Sequence, residues 1–120
     1  MPDGGLTASL ARALPRQLAM EMCLLAQPVT VERMHDLGVV NVVTEKGDAF
    51  DAAMALADRL AAGPRDAQRV IRGLVAQAYD VSEADQLDAE CDAMAHATGA
   101  DEAAEGIAAF LEKRTPNYGG

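Results

Sequence analysis

Aromatic residues are scarce in this 120-residue chain: it has no tryptophan, and two tyrosines with two phenylalanines make up 3% of the sequence. A core built from stacked rings is therefore excluded. Basic residues are scarce too, ten Lys and Arg against nineteen Asp and Glu, for a formal net charge of -9. A nucleic-acid surface needs clustered Lys and Arg to displace the counterions around phosphates. No basic cluster interrupts the acidic balance, so nucleic acid is excluded as a partner. The two cysteines, Cys23 and Cys91, belong to no CxxC pattern. Each falls on the apolar side of a helical pattern, which predicts buried, reduced thiols. No apolar run approaches the roughly 20 residues that a spanning helix needs, and no signal-peptide core follows Met1. The expectation is a soluble, cytoplasmic protein with no membrane partner.

What is abundant is alanine. The apolar fraction is 50% and alanine is its commonest member, a residue that favours helices and is depleted in strands. The fold class expected is all-α, as one domain or a piece of a larger one. Thr7–Ala13 reads as a short helical segment, broken by Leu14-Pro15 because proline disfavours a helical residue before it. Leu18, Ala19, Met22, Leu25 and Ala26 then recur at spacings of three and four, one face of a helix. Thr30 is placed to cap a short helix that ends at Gly38. The following "VVNVV" is the single β-branched run and predicts a short extended segment without a strand partner.

Four more helices follow. Asp48 is placed to start one carrying Phe50, Met54, Ala57 and Leu60, closed by Gly63-Pro64. Ala67, Val70, Ile71, Leu74 and Ala78 mark the next. Ser82 with Asp85 resembles a capping box ahead of Leu87, Cys91, Met94 and Ala95. Asp101–Lys113 holds Ile107, Phe110 and Leu111 on one face, with Lys113 and Arg114 where cations suit the helix dipole.

Few residues could carry chemistry. His35 and His96 stand apart, without Cys, Asp or Glu at ligand spacing, so no metal site is expected. There is no Ser/His/Asp order, no GxGxxG after a strand and no phosphate-cradling loop. Asp3, within "PDGGLTASLARAL", admits two readings. One is turn and helix-entrance chemistry, with its carboxylate accepting backbone N–H bonds; the other is an active-site acid.

The pattern P-D-G-G-L-T-x-x-L-x-R, then "AMEM", "ERMHDLGVVNVV", "ALADRLAAGP" and "EGIAAFLEKRTPNYGG", resembles in that order the C-terminal half of the crotonase superfamily, the enoyl-CoA hydratase/isomerase family. Two departures are local: Leu14-Pro15 stands where the family commonly has Val-Gly, and Ala26-Gln27 where it often has Thr-Gly. The resemblance implies the C-terminal helical region of a crotonase-like fold, without the N-terminal ββα spiral core. It implies a single helical unit over 1–120, with residues 1–47 following that core and 48–120 forming a helical oligomerisation region.

The resemblance also implies roles. In the family the N-terminal core supplies two backbone N–H groups that polarise a thioester carbonyl, so little catalysis is expected from these 120 residues alone. The glutamates used by the hydratases have no counterpart here. Asp3 matches a position that serves as acid/base or nucleophile in isomerases and dehalogenases of the family. Lys113 matches a lysine that reaches the phosphate or adenine end of coenzyme A bound in a neighbouring subunit, with Phe110 close by and Met94 on the adenine side. Both cationic residues also read as an ordinary helix end, and the spacing of Met94 marks it first as core. No cofactor is implied, coenzyme A entering as the substrate thioester. The partners implied are an acyl-CoA and further copies of the chain, a trimer being favoured. The alternative is a non-catalytic helical association module.

Overall fold

A computed structural model of the chain describes residues 2–119, which divide into two compact units between Ala53 and Met54. Among the described residues there are seven helices and no strand: α1 (Leu6–Ala13), α2 (Arg16–Leu25), α3 (Val31–Asp36), α4 (Ala49–Ala61), α5 (Arg65–Gln77), α6 (Glu83–Thr98) and α7 (Asp101–Glu112). The all-α expectation holds.

The first unit is organised by the proline break. Leu14 is extended, with φ -126° and ψ 155°, as the residue before Pro15 must be. Its N–H still returns to the Leu10 carbonyl at 2.9 Å. The turn brings Leu10, Leu14 and Ala19 together as a buried core, with Leu18, Met22, Cys23, Met34, Leu37 and Val39 packed against it. Thr30 caps α3 as expected, its Oγ1 accepting the Arg33 N–H at 3.3 Å. Gly38, at φ 75°, then turns the chain so that the Val39 N–H reaches the Met34 carbonyl at 2.9 Å. "VVNVV" continues as irregular chain. Ala26 ends α2 in the left-handed conformation at φ 52°, a strain of roughly 1 kcal/mol that glycine would not carry.

In the second unit α5 packs on α6, and α6 on α7. Polar groups knit these contacts. Gln86 on α6 donates to the Leu74 carbonyl at 3.2 Å and accepts from the Gln77 amide at 3.2 Å. The α5 N-terminus has no side-chain cap of its own. Instead the Glu102 carboxylate of α7 accepts the Asp66 and Ala67 N–H groups at 3.1 and 3.3 Å, filling the role of an N-cap from another helix. Between α4 and α5, the Gln68 amide donates to the Leu60 carbonyl at 2.9 Å. Gly63 lies beneath that side chain, and a Cβ there would push the Gln68 amide aside. Ser82 accepts the Asp85 N–H at 3.2 Å and donates its hydroxyl to the Asp85 carboxylate at 2.6 Å. The return bond of a capping box goes to the hydroxyl here, not to the backbone N–H.

The helices meet through small residues. On α6 the half-buried positions are Gln86, Ala89 and Ala93; on α7 they include Ala103 and Gly106, beside Ala109 at 1% exposure. Leu87, Cys91 and Met94 form an exposed stripe on α6, and Ile107, Phe110 and Leu111 one on α7. This corrects two expectations, since Cys91 is exposed and Met94, at 69% exposure, is not a core residue of the chain. The side chains turned toward neighbouring helices are the small ones, alanine and glycine, which let backbones approach closely, and the larger apolar side chains stand in solvent. The accessible surface, 9627 Å², exceeds the roughly 7,500 Å² that two separate compact units of these sizes would expose.

The end of α7 carries the densest polar cluster. Lys113 is left-handed at φ 53°, and the N–H groups of Lys113 and Arg114 return to Phe110 and Ala109 at 3.3 and 3.0 Å, the paired bonds of a Schellman ending. The Arg114 guanidinium forks onto both Glu105 oxygens at 2.5 and 2.9 Å and donates from Nε to Glu112 at 2.6 Å. Glu105 also accepts the Asn117 N–H at 2.6 Å, drawing the tail back along α7, where a Cβ on Gly106 would stand 3.1 Å from the Tyr118 hydroxyl. The Arg114 hydrogen bond, then that from Asn117, lowers the Glu105 pKa from its ordinary 4.5 to about 2. Arg114 is correspondingly pushed up, first by Glu105 and then by Glu112.

Two predictions follow from these polar ties. Glu102→Ala removes the acceptor for two N–H groups at a helix start and should destabilise the second unit by about 1 kcal/mol, read as a lower urea midpoint; an unchanged midpoint refutes the cap. Because the Glu105 pKa is depressed in the folded state, its contribution is complete above pH 4.5 and declines as the pH falls toward 2. NMR titration should show the Arg114 Nη–H and Asn117 amide signals, both donated to Glu105, moving together across that window, and Glu105→Gln should abolish the transition.

Candidate functional site

Asp3 belongs to the first unit. It is exposed, and two successive left-handed glycines follow it, Gly4 at φ 58° and Gly5 at φ 85°. Side chains are strained in that conformation and glycine is not, so the pair sets a tight turn immediately after the acid. The Asp3 carbonyl accepts the Leu6 N–H at 3.0 Å, whereas α1 has no side-chain cap. Among the described residues the Asp3 carboxylate takes no hydrogen bond and no ion pair. The helix-entrance reading is corrected to that extent: the backbone of Asp3 enters the turn and its carboxylate does not cap the helix.

Beside this turn lies an open groove of about 450 Å³, lined by Pro2 and by Leu6, Leu10, Met22, Cys23 and Pro28 among others. Its walls are mostly apolar. The groove borders the turn through Pro2 and Leu6, on either side of Asp3-Gly4-Gly5, and an exposed carboxylate without a partner is a type of group that general acid–base catalysis uses.

Lys113, Phe110 and Met94 belong to the second unit. Phe110 and Lys113 are brought together at the end of α7, where the Lys113 N–H returns to the Phe110 carbonyl. The phenyl ring is 82% exposed. The Lys113 ammonium has no ion pair or hydrogen bond among the described residues. Met94 lies on the outer stripe of α6, the helix packed against α7. An exposed ring and an unneutralised ammonium suit a ligand with an aromatic base and phosphates.

Among the described residues no three His, Cys, Asp or Glu side chains converge as a metal site would require. The residue that sequence reasoning missed is Glu105. It pairs with Arg114 nine positions away, outside the three- and four-residue spacing at which helical partners are recognised.

Comparison with known proteins gives these positions a context. The family model described as enoyl-CoA hydratase/isomerase matches residues 1–120. An enoyl-CoA hydratase of Mycobacterium tuberculosis is 31% identical over 119 residues, covering 98% of this chain and 44% of the relative. The 1,2-epoxyphenylacetyl-CoA isomerase of Escherichia coli is 34% identical over 124 residues, covering 100% and 46%. Among solved structures, an enoyl-CoA hydratase from Polaromonas sp. JS666 superposes with a TM-score of 0.92 at 41% identity, over 97% of this chain and 45% of that one. The chain thus spans less than half the length of the relatives it matches, and it corresponds to the C-terminal helical portion of the crotonase fold. On the match over its whole length and on the agreement in structure, the chain belongs to the enoyl-CoA hydratase/isomerase family.

Proposed function

We propose that this chain supplies the C-terminal part of an enzyme acting on acyl-CoA thioesters, by hydration or by double-bond isomerisation through an enolate. The observation that carries the reading is Asp3, an exposed carboxylate without a hydrogen-bond partner among the described residues, set by a double-glycine turn beside an apolar groove. The relatives named above are a hydratase and an isomerase of CoA thioesters, which supports the substrate class.

In this reading Asp3 accepts a proton from a carbon of the acyl group and returns it at another, so the double bond shifts with no net change in atoms. The charge that develops on the thioester oxygen needs fixed N–H donors, commonly worth a factor of roughly 100 to 1,000 for one donor. Those come from the spiral core, so the 120 residues turn over substrate only when united with it. Lys113, with Phe110 and Met94, holds the nucleotide end of coenzyme A. The substrate brings the only group needed, and no separate cofactor takes part. The assembly is a cytoplasmic homo-oligomer, a trimer being favoured, whose contacts cover the exposed apolar stripes of α6 and α7.

A second reading, a non-catalytic helical association module, draws on those same stripes, since Leu111 at 73% exposure and its neighbours invite a partner whatever the chemistry. A fusion separates the two. This chain, joined to the remaining portion of the Polaromonas enzyme in place of its matching segment, should catalyse the hydratase or isomerase reaction on an acyl-CoA. Asp3→Asn should then lower kcat by about 100-fold or more with KM little changed. An active fusion indifferent to Asp3→Asn removes Asp3 from the chemistry; an inactive fusion that still assembles favours the association module.

A further inference from the structure

We propose that Glu105 and Arg114 form a positioning pair for Lys113, holding its ammonium unneutralised at the end of α7 for a phosphate of the bound thioester. The inference rests on the reading of Lys113 as a coenzyme A contact and adds to it the device that makes the contact available. Two carboxylates, Glu105 and Glu112, bear on this helix end, and either would attract a neighbouring lysine. Arg114 engages both of them, two nitrogens on Glu105 and Nε on Glu112. The planar fork of arginine satisfies both at once, which a lysine at 114 could not do. Lys113 is left without a partner among the described residues.

The backbone points the same way. Lys113 occupies the left-handed position of a Schellman ending at φ 53°, where glycine is the unstrained choice. A strained non-glycine residue persists where its surroundings over-determine it. Here the surroundings are the Arg114 N–H bond to Ala109 and the Asn117 N–H bond to Glu105, both of which span Lys113 along the chain. Glu105 thus fixes both the side chain of the next residue and the path of the tail.

Two measurements test this. In the chain itself, Glu105→Gln should speed hydrogen exchange at the Arg114 and Asn117 amides at least tenfold and leave the amides of α5 unchanged; exchange at the wild-type rate at both positions overturns the proposal. In the fusion described above, Lys113→Gly removes the ammonium while suiting the left-handed turn. It and Glu105→Gln should each raise KM for the acyl-CoA about tenfold, with kcat within twofold, and neither should alter KM for an acyl-pantetheine, which lacks the nucleotide phosphates. If Lys113→Gly raises KM and Glu105→Gln does not, the positioning role falls while the Lys113 contact stands. If neither raises it, or the fusion binds no acyl-CoA, the contact falls and the proposal with it. An equal effect of Glu105→Gln on both substrates marks a general loss of folding and also overturns it.

Discussion

Close approach of helices over alanine and glycine is the constraint from which the second unit follows. Ala109 is almost fully buried, and Ala89, Ala93, Ala103 and Gly106 share the half-buried positions around it. Small side chains bring backbones near enough for side chains of one helix to reach the backbone of another, as Gln86 reaches Leu74 and Glu102 reaches Asp66 and Ala67. They remove little apolar area from water in doing so, at about 25 cal/mol per Å². Polar ties between helices therefore take a larger share of the cohesion than in a leucine-filled bundle. The first unit is built otherwise, with Leu10 and Leu14 as its buried anchors and a proline setting the angle between them.

The positions of the helices were legible in the sequence because local chemistry determines them. Pro15 separates α1 from α2, Thr30 and Ser82 cap the helices that follow them, and Gly63-Pro64 lies between α4 and α5. The inward face was legible on α2 and α5, where Ala19, Ala67, Val70 and Leu74 are buried or half-buried as their spacing marks them, and was not on α6. Periodicity marks an apolar stripe on α6 through Leu87, Cys91 and Met94, and a reader assigns that stripe to the core. In this chain the interior is taken by the alanine side, and the marked stripe faces outward. A one-dimensional pattern shows that a helix has two sides; it does not say which neighbour each side meets. Glu102 and Glu105 were missed for a related reason, since their partners lie far along the chain or off the helical spacing.

The candidate site was legible in a different sense. Asp3, Lys113 and Phe110 were singled out by the order of several short segments along the chain, because no single motif among them specifies chemistry. Their conformations come from the structure: two left-handed glycines after Asp3, a left-handed backbone at Lys113, and a ring at Phe110 left almost wholly in solvent. Both ends of the chain thus place a charged side chain at a backbone turn, where neighbouring φ values limit its motion more than packing does.

The outward stripes carry a thermal consequence. Ile107, Phe110 and Leu111 on α7, and Leu87 and Met94 on α6, are apolar side chains more than half exposed. Removing such area from water is driven by entropy near room temperature and carries a large negative heat-capacity change. That driving force weakens on cooling. Contacts over these stripes in the oligomer proposed above would therefore be held less firmly in the cold than at ambient temperature.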